Sequence, residues 1–382
     1  MSYTTVDDSS AFFHVQTYAG SGANQDVVND AHSGDFKPDL LVVKNRSNGS
    51  YGSNWYDSNR GVKKYFYTDQ AYGDDQEQNN VQGNSSVQLF NTNGFRGGSS
   101  TNVFEVNWIN GIGSNYVAWQ WQINGGTTTS VSASGTGNGC VNACEHQANT
   151  TAGVSIITYT GRDDQLNNGQ HSLLKHGLGV APDFIIIKRR DADANWRVMG
   201  KEVTSASAYS NNEYLELNTT AGINGNSYTG SIAPTSTDIY LGNELVNVAS
   251  GTYVAYAFSE TQGFSKFGSY IGSGNRSQAP FIYTGFQPAF IMVKDTVSAH
   301  GWSVFDNRRI IANGDMHYLA MNKTDAESGT GFSHVDPVDF MSNGFRVMNA
   351  DAWMNTVNRK YIYMAFAQHP FVSSTGIPTT AR

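Results

Sequence analysis

The chain has 382 residues, 39% of them hydrophobic and only 15% charged, with 40 Gly, 20 Tyr and 20 Phe. That composition supplies packed cores and many turns, and it excludes a disordered chain. A formal charge of −8 without a long run of one sign excludes the clustered Lys and Arg of a phosphate-binding surface, so nucleic acid is not an expected partner.

The opening residues, Met1-Ser2-Tyr3-Thr4-Thr5-Val6-Asp7-Asp8, have neither a basic n-region nor an apolar h-region, and no later stretch reaches the length of a membrane span. The expectation is a soluble protein without a cleaved signal or membrane insertion, beginning with a short arm over residues 1–10. Cys140 and Cys144 are the two cysteines, too few to staple a chain of this length, so stability must come from packed sheets.

Beyond the arm, one pattern occurs three times. Phe36-Lys-Pro-Asp-Leu-Leu-Val-Val-Lys44 returns as Val180-Ala-Pro-Asp-Phe-Ile-Ile-Ile-Lys188 and as Phe286-Gln-Pro-Ala-Phe-Ile-Met-Val-Lys294. Upstream stand Tyr18-Ala-Gly20, Tyr159-Thr-Gly161 and Tyr270-Ile-Gly272; downstream stand Trp55, Trp196 and Trp302. Each copy closes on an aromatic and β-branched strand: Tyr116-Val-Ala-Trp-Gln-Trp121, Tyr253-Val-Ala-Tyr-Ala-Phe258 and Tyr361-Ile-Tyr-Met-Ala-Phe366. Asn93-Gly94 and Asn343-Gly344 suit tight hairpin turns in the first and third copies.

These anchors place modules at 11–122, 153–262 and 263–370. The Gly/Ser/Thr-rich stretch within 123–152 reads as a flexible or surface-draped linker, the second and third modules abut as a rigid pair, and 371–382 reads as a loose tail. Short apolar runs, frequent turn residues and the absence of any sustained helical period predict an all-β chain of three tandem antiparallel β-sandwiches of jelly-roll type. The unbroken apolar run after each Pro predicts a strand buried on both faces.

Ala148-Asn-Thr-Thr-Ala-Gly-Val-Ser-Ile-Ile-Thr-Tyr-Thr-Gly161, His176-Gly-Leu-Gly-Val-Ala-Pro-Asp183, Gly263-Phe-Ser-Lys-Phe-Gly-Ser-Tyr270 and Tyr361-Ile-Tyr-Met-Ala-Phe-Ala367 carry a family resemblance. They resemble the tandem concanavalin A-like lectin-type modules of virion and tail-fibre proteins of marine bacteriophages, most clearly over residues 148–370. The resemblance implies a virion-surface protein made in the host cytoplasm: a tail-fibre or receptor-binding component, or else a capsid-surface decoration or short head fibre without an obligatory glycan. It also implies other virion proteins as partners, a host surface glycan as ligand and homo-oligomerisation, with a trimer favoured. Family fibres carry a long anchoring region before such modules, whereas about ten residues precede the first module here, which leaves the site on the particle open.

No enzymatic chemistry is expected. Glycan hydrolysis on a sandwich of this kind needs paired carboxylates, and no Glu is followed two positions later by Asp; Glu213 and Glu216 sit on opposite faces of their strand. Asp191, Asp193, Asn195 and Glu202 have the spacing of a calcium loop, but Trp196 stands where the turn requires Gly. Cys140, Cys144 and His146 lack a fourth ligand at zinc spacing. No metal or other cofactor is expected, and the phosphate loop and nucleophile elbow are missing.

The recurrence of Trp55, Trp196 and Trp302 at one module position points to a shared structural role. Trp108 and Trp353, each eight residues before Tyr116 and Tyr361, lie in turn-rich stretches that continue to Asn110 and Asn355, where the second copy has Leu245. Such tips suit contact with a ligand or a neighbouring subunit, so Trp108, Asn110, Trp353 and Asn355 are the candidate contact residues, with a core position as the alternative.

Overall fold

The computed structural model describes residues 3–30, 36–74, 85–99, 106–124, 126–162, 171–204, 213–225, 232–242, 244–309, 317–327, 337–348 and 352–379. The chain is all-β, with antiparallel sheets packed face to face.

The first eight strands are β1 (Phe13–Ala19), β2 (Gln25–Val27), β3 (Leu40–Asn45), β4 (Ser53–Asp57), β5 (Tyr65–Tyr67), β6 (Val87–Phe90), β7 (Phe95–Gly97) and β8 (Asn115–Trp121). They make a large sheet, β1-β8-β3-β4-β5, and a small one, β2-β7-β6. Next come β9 (Thr129–Val131), β10 (Cys144–Asn149), β11 (Val154–Thr160), β12 (Ser172–Lys175), β13 (Phe184–Arg189), β14 (Arg197–Gly200), β15 (Glu213–Glu216), β16 (Asn224–Gly225), β17 (Asp238–Leu241) and β18 (Thr252–Phe258). Their large sheet runs β16-β15-β14-β13-β18-β11-β10-β9 beside the pair β12-β17. The last set is β19 (Ser265–Ile271), β20 (Phe281–Tyr283), β21 (Phe286–Asp295), β22 (Ser303–Asp306), β23 (Leu319–Ala320), β24 (Val338–Met341), β25 (Gly344–Val347) and β26 (Lys360–Pro370). It repeats the first arrangement, as β19-β26-β21-β22-β23 and β20-β25-β24.

Residues 126–149 are ordered into paired strands where a flexible or surface-draped linker was expected. They contain β9 and β10, and β10 pairs with β11 from Cys144 opposite Tyr159 to Asn149 opposite Val154. Cys-Glu-His-Gln-Ala-Asn has no apolar alternation; ladder hydrogen bonds to an already formed edge hold it, a tertiary term that composition does not carry.

The central strands show why their apolar runs are unbroken. Leu40 and Val42 point into a core shared by all three large sheets, while Leu41 and Val43 point into a separate core beneath β2-β7-β6. Phe184 and Ile186 likewise enter the shared core, and Ile185 and Ile187 the one beneath β12-β17. Each large sheet is thus sandwiched twice, by its own small sheet and by the other two large sheets.

The large sheets meet head to tail in a closed ring. The Lys44 ammonium donates to the carbonyls of Lys323 and Thr324 (2.7 and 3.0 Å), in the loop after β23. Lys188 donates to Ala71 (2.8 Å), after β5, and Lys294 to Thr220 (3.2 Å), after β15. Carbonyls of each lysine's own hairpin complete the cages: Tyr51, Ala194 and Asp295, at 2.8, 2.9 and 2.6 Å. Three N–H donors meet carbonyl acceptors, the pairing a buried ammonium needs. Burial pushes the three lysines down, Lys44 and Lys188 to about 7 and Lys294 to about 8.

Among the described residues, two of the three junctions also hold buried ion clusters. Arg60 bridges Asp57 and Asp74 (2.6 and 3.0 Å) with all three side chains closed to solvent, and the Tyr256 hydroxyl donates to Asp57 (2.6 Å) across the junction. At the junction of third and first sheets, Arg309 bridges Asp306 and Glu327 (2.6 and 2.9 Å), and the Trp119 indole donates to Asp306 (2.9 Å). Asp57 lies opposite Leu40 and Asp306 opposite Phe290; the matching partner of Phe184 is Gly200, so the third junction does not repeat the ion cluster.

The three tryptophans after the lysines are not equivalent. Ser53, not Trp55, lies opposite Lys44, whereas Arg197 opposite Ile187 and Ser303 opposite Val293 put Trp196 and Trp302 beside Lys188 and Lys294. Trp55 sits two residues further on, opposite Val42. A shift of two keeps the side chain on one strand face, so all three still enter the shared core. Trp196 and Trp302 donate across their junctions to the carbonyls of Tyr67 (3.1 Å) and Glu216 (2.9 Å); Trp55 packs against Trp196 at a tilt of 52°, with centroids 5.5 Å apart.

Candidate functional site

The candidate contact residues lie just before the closing strand of the first and third sheets, in a corner that the fold builds three times. Tyr18 stacks on Tyr116, Tyr159 on Tyr253 and Tyr270 on Tyr361, with centroids 5.1, 5.0 and 5.2 Å apart. The first tyrosine of each pair donates to the carbonyl of Ile109, Val246 or Met354 (2.6, 2.6 and 2.8 Å). The second accepts the amide of Gly111, Val248 or Thr356 (2.7, 3.0 and 2.9 Å). Burial raises the phenols of Tyr18, Tyr116, Tyr159, Tyr270 and Tyr361, Tyr116 to about 12, which keeps these five neutral over the physiological range.

Asn110 and Asn355 are structural parts of these corners, contrary to the expectation that they reach a ligand or subunit. Both are fully buried. Asn110 Oδ1 accepts the Ser21 amide (2.9 Å) and its Nδ2 donates to the carbonyls of Gly98 (2.8 Å) and Ala23; Asn355 Oδ1 accepts the Ser273 amide (2.7 Å). Asn247 takes the same part in the second sheet, accepting from Arg162 N (3.1 Å). A short amide side chain that satisfies a turn's orphan amides is a recurrent turn device, which is why an Asn in a turn-rich stretch reads as a tip when it is a clasp.

With the asparagines fully buried, the tryptophan two positions earlier packs on the edge of a core and stays partly exposed. Trp108 is half-buried against Tyr67 and Tyr51, with centroids 4.3 and 5.2 Å away. Trp353 is half-buried against His300 and Tyr318, both 5.5 Å away, and the Lys323 ammonium stands 4.4 Å from its ring centroid. Tyr51 and His300 occupy matching places, each two residues before the position opposite the caged lysine. In the second sheet Leu245 holds the matching place, partly buried against its core as Trp108 and Trp353 are against theirs. The fold therefore carries two aromatic corners, and sequence spacing located both tryptophans but none of their neighbours, which come from a hairpin and an edge strand distant in the chain.

Trp108 thus stands among phenols, and Trp353 beside a phenol and an imidazole with the Lys323 ammonium over one face of its ring. The exposed part of such a ring has the chemistry to stack on the apolar face of a sugar ring or on a planar side chain. One family model aligns with residues 8–370, from before β1 to the end of β26. The chain belongs to the family described as a domain of unknown function, DUF7483. No curated protein and no solved structure matches it.

The DUF7483 match takes in all six sheets and both aromatic corners as one unit. Within it the other motifs resolve into ordinary contacts. Asp191 is ion-paired with Arg189 (2.8 Å) and Glu216 with Arg197. Cys140 and Cys144 are buried free thiols, and burial pushes the Cys144 thiol up to about 11. Among the described residues no group of three or more His, Cys, Asp or Glu is placed to hold a metal ion, and no helix is long and apolar enough to cross a membrane.

Proposed function

We propose that this chain is a structural protein of a bacteriophage virion, a tail-fibre or receptor-binding component whose lectin-like modules contact a host surface glycan. The recurring aromatic corner carries this reading: two half-buried tryptophans, Trp108 and Trp353, stand at matching positions with hydrogen-bonding neighbours. The resemblance of residues 148–370 to marine phage virion modules supports it, as does an acidic, charge-poor chain unsuited to nucleic acid.

The closed ring favours a second reading, a decoration protein on the capsid surface. Three sheets joined by matching Lys44, Lys188 and Lys294 cages give one chain the threefold character that the resemblance had assigned to a homotrimer. A monomer of this shape suits a threefold position on a shell.

Binding of labelled protein to host cells tests the first reading. The expected result is saturable binding that competes with phage adsorption and falls at least tenfold in a Trp108→Ala, Trp353→Ala double variant. Absence of binding, together with cryo-EM density for the chain on the head, would establish decoration instead.

A further inference from the structure

The second large sheet has three strands more than the other two: β16 at one edge, and at the other β9 and β10, which extend it past β11, the counterpart of the edge strands β1 and β19. Over that extension the face that is shared core elsewhere changes character. Glu145 stands opposite both Ser130 and Thr158, and Thr160 opposite Thr252. With Ser132 and Arg190 these side chains line a groove of about 400 Å³.

The groove is assembled from ordered parts. Asn59, reaching over from the first sheet's hairpin, donates to Thr158 Oγ1 (3.2 Å) and to the Glu145 carbonyl (3.1 Å). Asp74 holds the Arg190 Nε at 3.1 Å. The Ser130 hydroxyl lies 3.5 Å from the Glu145 carboxylate. Thr252 lines the groove, and its Oγ1 makes no hydrogen bond within the chain.

We propose that this groove binds a saccharide through its hydroxyl groups. A row of Ser and Thr hydroxyls beside one carboxylate and one guanidinium matches a ligand that donates and accepts at many neighbouring points. A carboxylate accepts from two adjacent hydroxyls at once, while a guanidinium donates to a ring or hydroxyl oxygen. The Glu145 carboxylate disfavours phosphate, and the hydroxyl lining disfavours an aliphatic chain. The groove lies on the second sheet, apart from the corners of Trp108 and Trp353, and the inference does not depend on the protein belonging to a particle.

Saturation-transfer-difference NMR on the full chain tests this, using the methyl glycosides of glucose, galactose, mannose and N-acetylglucosamine, with inorganic phosphate titrated separately by ³¹P line width. Transfer to the ring protons of at least one glycoside is expected. It should weaken at least tenfold in Glu145→Gln, whose side chain is exposed, and in Thr252→Val, which keeps the shape. It should persist in the Trp108→Ala, Trp353→Ala variant, where a separate loss of cell binding would bear only on the attachment reading. No transfer from any glycoside, transfer untouched by both groove variants, transfer lost only in the tryptophan variant, or broadening by phosphate alone would each overturn the proposal. Circular dichroism of each variant guards against misfolding, and the surface position of Glu145 keeps one arm of the test valid if Thr252→Val fails to fold.

Discussion

The ammonium of Lys44 lies 2.7 Å from the carbonyl oxygen of Lys323, a residue 279 positions further along the chain. That contact closes the ring, and its two counterparts at Lys188 and Lys294 make the closure a repeated device.

Removing a caged ammonium leaves buried carbonyls without donors. Lys44→Met is expected to destabilise the chain by about 2–4 kcal/mol, read as a lower urea midpoint, because unsatisfied buried acceptors cost about 1–3 kcal/mol each and partial collapse recovers some of it. Lys188→Met and Lys294→Met should fall in the same range. An unchanged midpoint in all three would show the cages to be incidental.

A core shared by all three large sheets ties their folding together. The full chain is expected to melt in a single calorimetric transition, with van't Hoff and calorimetric enthalpies agreeing. A fragment of residues 1–122 would expose Leu40, Val42, Trp55, Phe66 and Trp119, all buried in the shared core, and should lack near-ultraviolet circular dichroism. Three separate transitions, or a well-folded fragment, would contradict the shared core.

Within one corner, two neighbouring residues should separate stability from binding. Asn110→Ala strands the Ser21 amide and the Gly98 carbonyl and is expected to cost about 2–3 kcal/mol in urea unfolding. Trp108→Ala removes a half-buried ring and should cost about 1–2 kcal/mol while abolishing contact at that corner. Equal losses of stability would mean that Trp108 is part of the core.

Acidification should destabilise the second sandwich. His176 is fully buried; its Nδ1 accepts the Leu178 amide (3.2 Å), so its Nε2 carries the proton towards the Thr235 carbonyl (3.2 Å). Burial, the largest influence, holds it below 6.5 despite the pull of Thr235 and Asp238, while His146 and Lys175 push the same way as burial. His146 and His171 are lowered by burial too. The unfolded chain then binds more protons below pH 6.5, so stability present at neutral pH is lost as pH falls through that value towards the folded one. Urea midpoints should drop between about pH 7.5 and about pH 5, and His176→Gln should flatten the drop. A midpoint that rises on acidification would rule out the neutral tautomer.

A further substitution probes the ion clusters. Asp306→Ala leaves Arg309 buried with Glu327 as its remaining carboxylate, beside the carbonyls of His317 and Val304, and deprives the Trp119 indole of its acceptor. Breaking a buried pair in this way costs about 3–5 kcal/mol, and guanidinium titration would show it. A loss below about 1 kcal/mol would mean that water reaches the site.

Local chemistry settled a good deal in advance. Pro-led apolar runs ending in Lys44, Lys188 and Lys294 determined where the two-sided strands lie, because only a strand covered on both faces tolerates such a run. Tyr-x-Gly and the aromatic closing strands marked its neighbours, and turn-rich spacing found Trp108 and Trp353. What covered those strands was decided in three dimensions. The lysines meet carbonyls of another sheet, which have no side-chain signature. The two-residue offset of Trp55 depends on strand register, which a spacing count does not fix. β9 and β10 form because an existing edge offers them hydrogen bonds, although their own residues lack the alternation of a strand. Residue pattern encodes how each strand faces apolar surroundings, whereas backbone hydrogen bonds between distant segments are chemically alike at every position, so only the packed ring selects among them.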